Sequence, residues 1–299
     1  MHVLILGANG MLGRALQKQF EADQVVNWDR NELDITDRDQ VLEHLPICEP
    51  DLVINAAAYT DVEKAEAEED LATKVNGYAV GYLAEACAKL NIPLVHISTD
   101  YVFSGDKKDG YAEEDIPGEP LNAYGRSKLL GEQLLQKNTD KSWLIRTAWL
   151  FGPLTTLRPR AQGREVSSGS NGPQGKNFVE TMINLGKQKP ELQVVDDQHG
   201  APTYTRDLAQ AIFKMTHEQA PYGIYHLTNG GTATWAEFAK EIFKLMQMPV
   251  NVVSVTSDEF PTKARRPKWS ILKNTKRPFL RNWQEALKDY INIRNVKNP

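Results

Sequence analysis

Tyr124 and Lys128 lie four residues apart in a stretch with a helical pattern, and they are the strongest candidates for chemistry in the sequence. Residues i and i+4 share one face of a helix. A free tyrosine has a pKa of about 10, but an ammonium within about 4–6 Å stabilises the phenolate and lowers that pKa by about 1–3 units. We therefore expect Lys128 to bring the Tyr124 phenol into the range for proton transfer.

A tyrosine and a lysine at this spacing also occur by chance on surface helices, so the elements around them must be considered. The apolar run from Val3 to Leu6 is typical of a strand covered on both faces. A glycine turn follows, with Gly7, Gly10 and Gly13 spaced three residues apart, and then a helical pattern through Phe20. Such a turn lets a pyrophosphate approach the backbone, and the start of the new helix favours its negative charge. The pattern predicts a dinucleotide site.

The second predicted strand, residues 25–28, ends in two side chains that favour different nucleotides. Asp29 lies about 20 residues beyond the glycine turn, where an acid accepts hydrogen bonds from the adenosine ribose and favours NADH. Arg30 is its neighbour, and a guanidinium there would instead hold the 2′-phosphate of NADPH. The choice between NADPH and NADH therefore stays open. Asp34, a few residues on, is also a candidate cap for the next helix.

Two further predicted strands end in small or hydroxyl-bearing residues. Residues 51–54 are followed by Asn55 and three alanines, and residues 93–97 are followed by Ser98, Thr99 and Asp100. Ligands in open α/β sheets bind at the carboxyl ends of the strands, where small side chains let a cofactor lie on the backbone. The charged run from Glu63 to Asp70, by contrast, is typical of a solvated surface.

The alternation of strand and helix patterns up to residue 150 predicts the fold class. It indicates an α/β protein with a doubly wound, Rossmann-like parallel sheet in residues 1–150. Residues 151–299 are predicted to form mainly a smaller C-terminal α/β substrate-binding lobe, interleaved with the first domain. Residues 154–176, rich in Gly, Ser, Pro and Arg, are expected to be a mobile insertion. Its Arg158, Arg160 and Arg164 would keep the loop soluble or close over a diphosphate.

Composition limits the class of partner. The 299 residues are 41% hydrophobic and 25% charged, enough for a sizeable core, and the net charge of −4 disfavours a nucleic-acid partner. The sequence has no run near the roughly 20 apolar residues of a membrane span and no basic leader, so we expect no membrane partner and a cytoplasmic location. Cys48 and Cys87 lack metal-ligand spacing and are interpreted as structural thiols.

Taken together, the glycine turn, the Asn55 to Ala58 run, Ser98 to Asp100 and the Tyr124 to Lys128 stretch resemble the extended short-chain dehydrogenase/reductase superfamily. Within it, the Asp197 to Thr203 motif and the late Arg266-Pro267-x-x-Ser270 motif resemble the dTDP-4-dehydrorhamnose reductase family. The resemblance implies hydride transfer from NADPH or NADH to the C4 ketone of dTDP-6-deoxy-L-lyxo-4-hexulose, which gives dTDP-L-rhamnose.

The resemblance also implies roles for individual residues. The catalytic residues would be Thr99, Tyr124 and Lys128. The last two would also bind the cofactor, together with Gly7, Gly10, Met11, Leu12, Gly13, Asp29, Arg30, Asp34, Ile35, Ala56, Ala57 and Ala58. The dTDP-sugar substrate would contact Thr60, Val62, Thr99, Asp100, Trp149, Asn177 and Arg266. Some relatives bind magnesium through glutamates at a dimer contact, but Arg14 stands where one such glutamate would be expected, so no metal site is predicted. The resemblance is compatible with a homodimer.

Two kinds of alternative function stay open. One is another nucleotide-sugar enzyme of the superfamily, a 4-epimerase or a 4,6-dehydratase; the dehydratase is disfavoured because Tyr101 stands where those enzymes carry a second acid. The other is a noncatalytic regulatory subunit like the methionine adenosyltransferase β subunit, which shares the fold. An intact Thr99, Tyr124 and Lys128 favours an enzyme.

Overall fold

The computed structural model of the chain describes residues 1–153, 177–277 and 280–297. The predicted insertion at 154–176, with its three arginines, lies outside the described residues. The strands are β1 (His2–Leu6), β2 (Gln24–Trp28), β3 (Leu52–Asn55), β4 (Leu94–Thr99), β5 (Ser142–Thr147), β6 (Leu150–Phe151), β7 (Glu191–Val195), β8 (His199–Gly200), β9 (Thr203–Tyr204), β10 (Gly223–His226), β11 (Asn229–Gly230), β12 (Ala233–Thr234), β13 (Asn251–Val255) and β14 (Leu280–Asn282). The helices are α1 (Met11–Gln19), α2 (Arg38–Cys48), α3 (Val62–Ala65), α4 (Glu69–Thr73), α5 (Ala79–Leu90), α6 (Ala123–Asn138), α7 (Phe178–Gly186), α8 (Thr205–His217), α9 (Trp235–Leu245) and α10 (Trp283–Lys297).

Six parallel strands form the central sheet, in the order β10-β5-β4-β3-β1-β2. Successive residues of β1 point to opposite faces: Val3 and Ile5 pack with α1 and α8, whereas Leu4 and Leu6 pack with α2 and α5. Because both faces are covered by helices, the strand is apolar throughout. The doubly wound α/β fold predicted from the sequence is confirmed.

The direction of chain progression changes between β1 and β3. From β1 the chain first adds β2 on one side, and then β3, β4 and β5 on the other. The carboxyl ends of β1 and β3 therefore border a crevice, the place where open α/β sheets bind ligands.

A π-helical turn at Lys74–Tyr78 lies between α4 and α5. A π-turn is often found at a functional position. Here it carries Asn76, whose side-chain oxygen accepts from the Tyr59 backbone N–H at 2.8 Å and whose amide nitrogen donates to the Tyr59 carbonyl and to Ser127 Oγ, each at 3.0 Å. The turn thus ties the loop after β3 to helix α6.

The smaller lobe has a core of its own. Helices α7, α9 and α10 pack with the parallel pair β7 and β13 around a cluster that includes Phe151, Tyr204, Phe238 and Trp283. Two elements from the same half of the chain belong with the large sheet instead, because α8 covers α1 and β10 pairs with β5. The division of the chain at residue 150 stays a prediction. Within the described residues, no helix is long and apolar enough to cross a membrane.

Candidate active site

A cleft of about 930 Å³ opens at the carboxyl ends of β1, β3 and β4. It is lined by every site residue predicted from the sequence except Asn177. These are Gly7, Gly10, Met11, Leu12, Gly13, Asp29, Arg30, Asp34, Ile35, Ala56, Ala57, Ala58, Thr60, Val62, Thr99, Asp100, Tyr124, Lys128, Trp149 and Arg266. Further lining residues that the sequence did not single out for the site include Tyr101 and Trp235.

The glycine turn forms the floor of the cleft. Gly7 has a φ of +73°, and a Cβ atom on it would lie 2.6 Å from the Ala57 backbone nitrogen. A Cβ on Gly13 would lie 2.3 Å from the Gly7 carbonyl oxygen. No larger residue fits at either position: Gly7 lets the loops after β1 and β3 meet backbone to backbone, and Gly13 lets helix α1 pack against the backbone of Gly7 and Ala8. Helix α1 begins at Met11, and its first amides lack acceptors within the helix, which suits a phosphate group.

The nucleotide end of the cleft contains both charges that left the cofactor preference open. The Asp29 carboxylate accepts from the Asn9 backbone N–H at 3.1 Å; burial raises its pKa, and this hydrogen bond opposes the rise. Arg30 is exposed and lies 3.6 Å from Asp34. Asp34 does not cap α2, since Asp37 accepts from the first amides of that helix. Asp34 instead accepts from Thr36, and it lines the cleft.

Helix α6 and the end of β4 bring the three predicted catalytic residues together. Asn122 caps α6 by accepting from the Gly125 N–H at 2.8 Å, which starts the helix one residue before Tyr124. The Tyr124 hydroxyl is hydrogen-bonded to Thr99, the last residue of β4. One turn further along α6, Lys128 Nζ donates to the Ile97 carbonyl oxygen at 2.6 Å.

The prediction that Lys128 lowers the pKa of Tyr124 is wrong for this structure. Burial raises the pKa of Tyr124 to about 12; the hydrogen bond to Thr99 opposes the rise, and the Asp100 carboxylate adds to it. Burial also lowers the pKa of Lys128 to about 8, against the pull of Glu132. The cost of charging a group in a closed site therefore exceeds the attraction that helical spacing predicts. Tyr124 is held protonated, as a proton donor must be.

Asp100 is a buried carboxyl beside this trio. Its Oδ1 accepts from the Thr99 hydroxyl at 2.9 Å. Burial raises the pKa of Asp100 to about 6, although hydrogen bonds from Ser270 and Thr99 counteract the rise. Asp100 is thus a group that changes charge near neutral pH, next to the hydroxyls of Thr99 and Tyr124.

The charged run from Glu63 to Asp70 is largely exposed, but three of its carboxylates hold parts of the site. Glu63 lies 2.7 Å from the Arg266 guanidinium and accepts from the Lys263 N–H at 2.9 Å. Glu66 accepts from the Ala123 N–H, the first of α6, and Glu69 pairs with Arg126 on the same helix. A charge pattern along the chain gives no signal of such contacts, because their partners are distant in sequence.

The late arginine motif forms one wall of the cleft. Arg266 lines the cleft and is hydrogen-bonded to Tyr101 as well as paired with Glu63. The Asn122 side chain donates to the Arg265 carbonyl at 2.8 Å, so the residue that caps α6 also anchors this segment. Tyr101 follows Thr99 and Asp100 in the sequence, and this adjacency is the signal that points to it as a lining residue.

Two tryptophans form another wall. The ring of Trp149 lies flat on that of Trp235, with centroids 3.5 Å apart and planes 8° apart. Trp149 has a φ of +47°, which is uncommon for a bulky residue, and its ring occupies the space where Gly200 would carry a Cβ. Trp235 Nε1 donates to Gln198 Oε1 at 3.1 Å. The Asp197 to Thr203 motif therefore supports both rings.

Asn177 is not brought to the cleft lining. Its side-chain oxygen accepts from the Glu180 N–H at 2.9 Å and caps α7, and its amide nitrogen donates to the Gly152 carbonyl at 2.8 Å. Among the described residues, no group of three or more His, Cys, Asp or Glu side chains is arranged to hold a metal ion.

A doubly wound sheet with a glycine turn, a Tyr and Lys pair on α6 and a threonine at the end of β4 defines a protein of the extended short-chain dehydrogenase/reductase type. Residues 1–296 match the family described as RmlD substrate binding domain, and the chain belongs to that family.

Named relatives agree with this family. The dTDP-4-dehydrorhamnose reductase of Aggregatibacter actinomycetemcomitans is 39% identical, over 96% of this chain and 97% of the relative. The crystal structure of a dTDP-4-dehydrorhamnose reductase from Clostridium acetobutylicum is 41% identical, covers 99% of this chain and all of that one, and has a TM-score of 0.89. The enzyme from Bacillus anthracis, solved in complex with NADP, is 39% identical over 98% of this chain and 99% of that one, with a TM-score of 0.88.

Proposed function

We propose that the protein is an NAD(P)H-dependent oxidoreductase that reduces the C4 ketone of dTDP-6-deoxy-L-lyxo-4-hexulose to give dTDP-L-rhamnose. The observation that carries this proposal is the meeting of the glycine-turn floor with the Thr99, Tyr124 and Lys128 trio in one cleft. Membership of the family and the names of the relatives supply the substrate class.

The residues of the cleft suit a nicotinamide dinucleotide. A Cβ on Gly7 would fill the space in which the loops after β1 and β3 meet, and a Cβ on Gly13 would collide with the backbone of Gly7 and Ala8 within the turn itself. Helix α1 begins at Met11, directly after this turn. Gly7, Gly10, Met11, Leu12 and Gly13 would hold the pyrophosphate, whereas Asp29, Arg30, Asp34 and Ile35 would contact the adenosine end. Ala56, Ala57 and Ala58 would form the wall along the cofactor. When bound, NADPH or NADH supplies a hydride.

The catalytic residues complete the reduction at the oxygen. Thr99 would orient the substrate carbonyl by hydrogen bonding. Tyr124, protonated because its pKa is raised to about 12, would deliver its proton to the alkoxide that forms as C4 accepts hydride. The proton and the hydride together account for the new C–H and O–H bonds. Lys128 would hold the nicotinamide ribose, and in its charged form it would favour the tyrosinate that remains.

The remaining lining residues would select the sugar nucleotide. Thr60 and Val62 lie on one wall of the cleft, and Trp149 lies on another. Asp100, beside the catalytic threonine, would contact the sugar hydroxyls. Arg266 would bind the diphosphate, because a guanidinium and a phosphate group can form two hydrogen bonds at once. Asn177 would act only indirectly, since its side chain holds the loop at Gly152.

The test is a coupled assay with the purified protein. It receives NADPH or NADH and the dTDP-4-keto-6-deoxy-L-sugar, and nicotinamide absorbance is followed at about 340 nm. Oxidation with formation of dTDP-L-rhamnose supports the proposal. The ratio of the rates with NADPH and NADH shows whether Arg30 or Asp29 controls the cofactor preference. Absence of oxidation, with cofactor binding demonstrated, would contradict it.

The same assay separates the rival functions. A 4-epimerase would interconvert C4 epimers of a sugar nucleotide without net oxidation of added NAD(P)H. A noncatalytic subunit like the methionine adenosyltransferase β subunit would bind the cofactor without turnover and would copurify with a partner enzyme. The intact trio favours catalysis over that second rival.

Location and assembly belong to the same proposal. A cytoplasmic protein fits an enzyme that uses NAD(P)H and a dTDP-sugar. We expect a homodimer, no metal requirement and no nucleic-acid partner. Size-exclusion chromatography with light scattering, and the assay with and without a chelator, test the first two expectations.

A further inference from the structure

A buried hydrogen-bond chain connects the loop after β3 with Lys128. The Ala57 N–H donates to Asn55 Oδ1 at 3.1 Å, and Asn55 Nδ2 lies 3.2 Å from His96 Nδ1. His96 Nε2, in turn, lies 3.3 Å from Lys128 Nζ. Asn55 and His96 are fully buried, at the end of β3 and within β4 respectively.

This series of hydrogen bonds determines which ring nitrogen of His96 carries the proton. A backbone N–H can only donate, so the oxygen of Asn55 must face Ala57 and its amide nitrogen must face His96. An amide nitrogen also only donates, so His96 Nδ1 has to be an acceptor. Burial lowers the pKa of His96 well below its ordinary range, and the charge of Lys128 adds to this. The neutral ring therefore carries its one proton on Nε2.

That proton points at Lys128. An ammonium has three donors and no acceptor, so a charged Lys128 would place two donors face to face across 3.3 Å. A neutral amine has a lone pair that accepts from His96 Nε2–H, and it can still donate to the Ile97 carbonyl at 2.6 Å. The orientation of Asn55 thus favours the uncharged form of Lys128.

The other polar groups near Lys128 are on α6 and the strands beneath it. Glu132, one turn further along α6, pulls towards the ammonium, but it is paired with Arg146 of β5 at 2.7 Å and accepts from Ser98 of β4 at 2.5 Å. Tyr124, one turn earlier, is a neutral phenol hydrogen-bonded to Thr99. Glu132 is the opposing charge, and its ion pair with Arg146 weakens its effect.

We propose that His96, oriented by Asn55, is a positioning residue that donates its Nε2 proton to Lys128 and thereby lowers the proton affinity of this lysine. This inference rests on the proposed function in one respect, namely that Lys128 takes part in the reaction. The state of the His96 ring can be measured without any turnover.

The first test is spectroscopic. Protein labelled with ¹⁵N in its histidines is compared by NMR with the His96→Gln variant, in which the signals of His96 are missing. The expected result is a neutral His96 ring with its proton on Nε2. A proton on Nδ1, or a charged ring at neutral pH, would overturn the proposal whether or not the protein is a reductase.

The second test changes the tautomer of the His96 ring by substituting its hydrogen-bond partner Asn55. In Asn55→Asp one carboxylate oxygen still accepts from Ala57, and the other now accepts from His96 Nδ1–H. The proton moves to Nδ1, and the lone pair of Nε2 faces Lys128 and favours the ammonium. We expect the Nδ1–H form in the spectrum, and an alkaline limb of the kcat profile that lies about one pH unit higher than in the unchanged protein.

A matched control separates this effect from that of any new buried acid. Asn274 is also buried, and it bonds with Thr228 away from the cleft. Asn274→Asp should leave the pH profile in place even if it lowers the melting temperature. If Asn55→Asp moves the alkaline limb no more than Asn274→Asp does, or only lowers kcat equally at every pH, His96 does not set the proton affinity of Lys128.

Discussion

Trp149 and Trp235 are stacked face to face at 3.5 Å on one wall of the cleft, although they belong to different parts of the chain. The first directly precedes β6 and the second begins α9. The left-handed backbone of Trp149 is stabilised by this contact and by the space above Gly200. The wall is thus assembled by the tertiary fold, and under the proposed function it would contact the deoxysugar.

Replacing Trp235 with alanine should weaken sugar-nucleotide binding and leave cofactor binding intact. An aromatic pair contributes about 1 kcal/mol beyond the area it buries, so KM for the dTDP-sugar should rise about fivefold. Steady-state kinetics, with cofactor affinity from fluorescence titration, measure both. Trp143→Phe is the control, since Trp143 is buried against Ala220 and does not line the cleft. An unchanged KM in Trp235→Ala would remove this wall from the substrate site.

Tyr124→Phe should abolish most of the activity while leaving the cofactor bound. The substitution removes the proton donor, and general acid catalysis contributes typically about 10²–10⁴-fold, so kcat should fall by about that factor. Cofactor affinity should stay within about threefold of the original, because the change removes a single hydroxyl. Tyr225→Phe removes a hydroxyl that bonds the Pro221 carbonyl outside the cleft, and it should keep full activity. Near-normal kcat in Tyr124→Phe would assign the proton to another group.

Gly7→Ala should impair cofactor binding. The new Cβ would lie 2.6 Å from the Ala57 nitrogen, at a φ of +73°. Strain at such a position costs about 1–3 kcal/mol, and separation of the two loops deforms the floor, so the dissociation constant should rise on the order of 10- to 100-fold. Calorimetric titration with NADPH and NADH measures the change. Gly118→Ala, which meets only ordinary contacts with Ser104, should bind normally.

Asp100→Asn should stabilise the fold at neutral pH at the expense of activity. The folded-state pKa of Asp100 is raised from 3.8 to about 6, so the fold favours the protonated form. The unchanged protein therefore loses stability from this group as pH rises from about 4 to 6, and an amide, which does not ionise, avoids that loss. At pH 7 the variant should gain about 1–3 kcal/mol in the free energy of unfolding.

Urea unfolding of both proteins at several pH values measures this difference. The advantage of Asp100→Asn should be small near pH 4, grow towards pH 6 and be constant above it. A difference that is independent of pH would show that the pKa of Asp100 is not raised in the folded protein. kcat should fall above about pH 6, where Asp100 is ionised, because the charge beside Thr99 is lost.

Local patterns in the sequence were sufficient to predict the fold class and most of the residues that line the cleft. Strand, glycine turn and helix are local patterns, and the carboxyl ends of parallel strands meet at one edge of a sheet. These two facts are sufficient to place Val3 to Leu6, the glycine turn and the residues that end β3 and β4 around one cleft. The pairing of Tyr124 with Lys128 followed from helical spacing alone.

The effect of the surroundings on the charge of these groups follows from the three-dimensional packing and could not be predicted from local patterns. The direction of the Tyr124 pKa depends on burial, which sums over elements that are distant in sequence, whereas spacing along a helix reports a single neighbour. Trp235 reaches Trp149, Glu63 reaches Arg266, and His96 reaches Lys128 through packing that no local pattern encodes. Short-range periodicity fixes the elements and the residues they present, and three-dimensional contact fixes the charge and orientation of those residues.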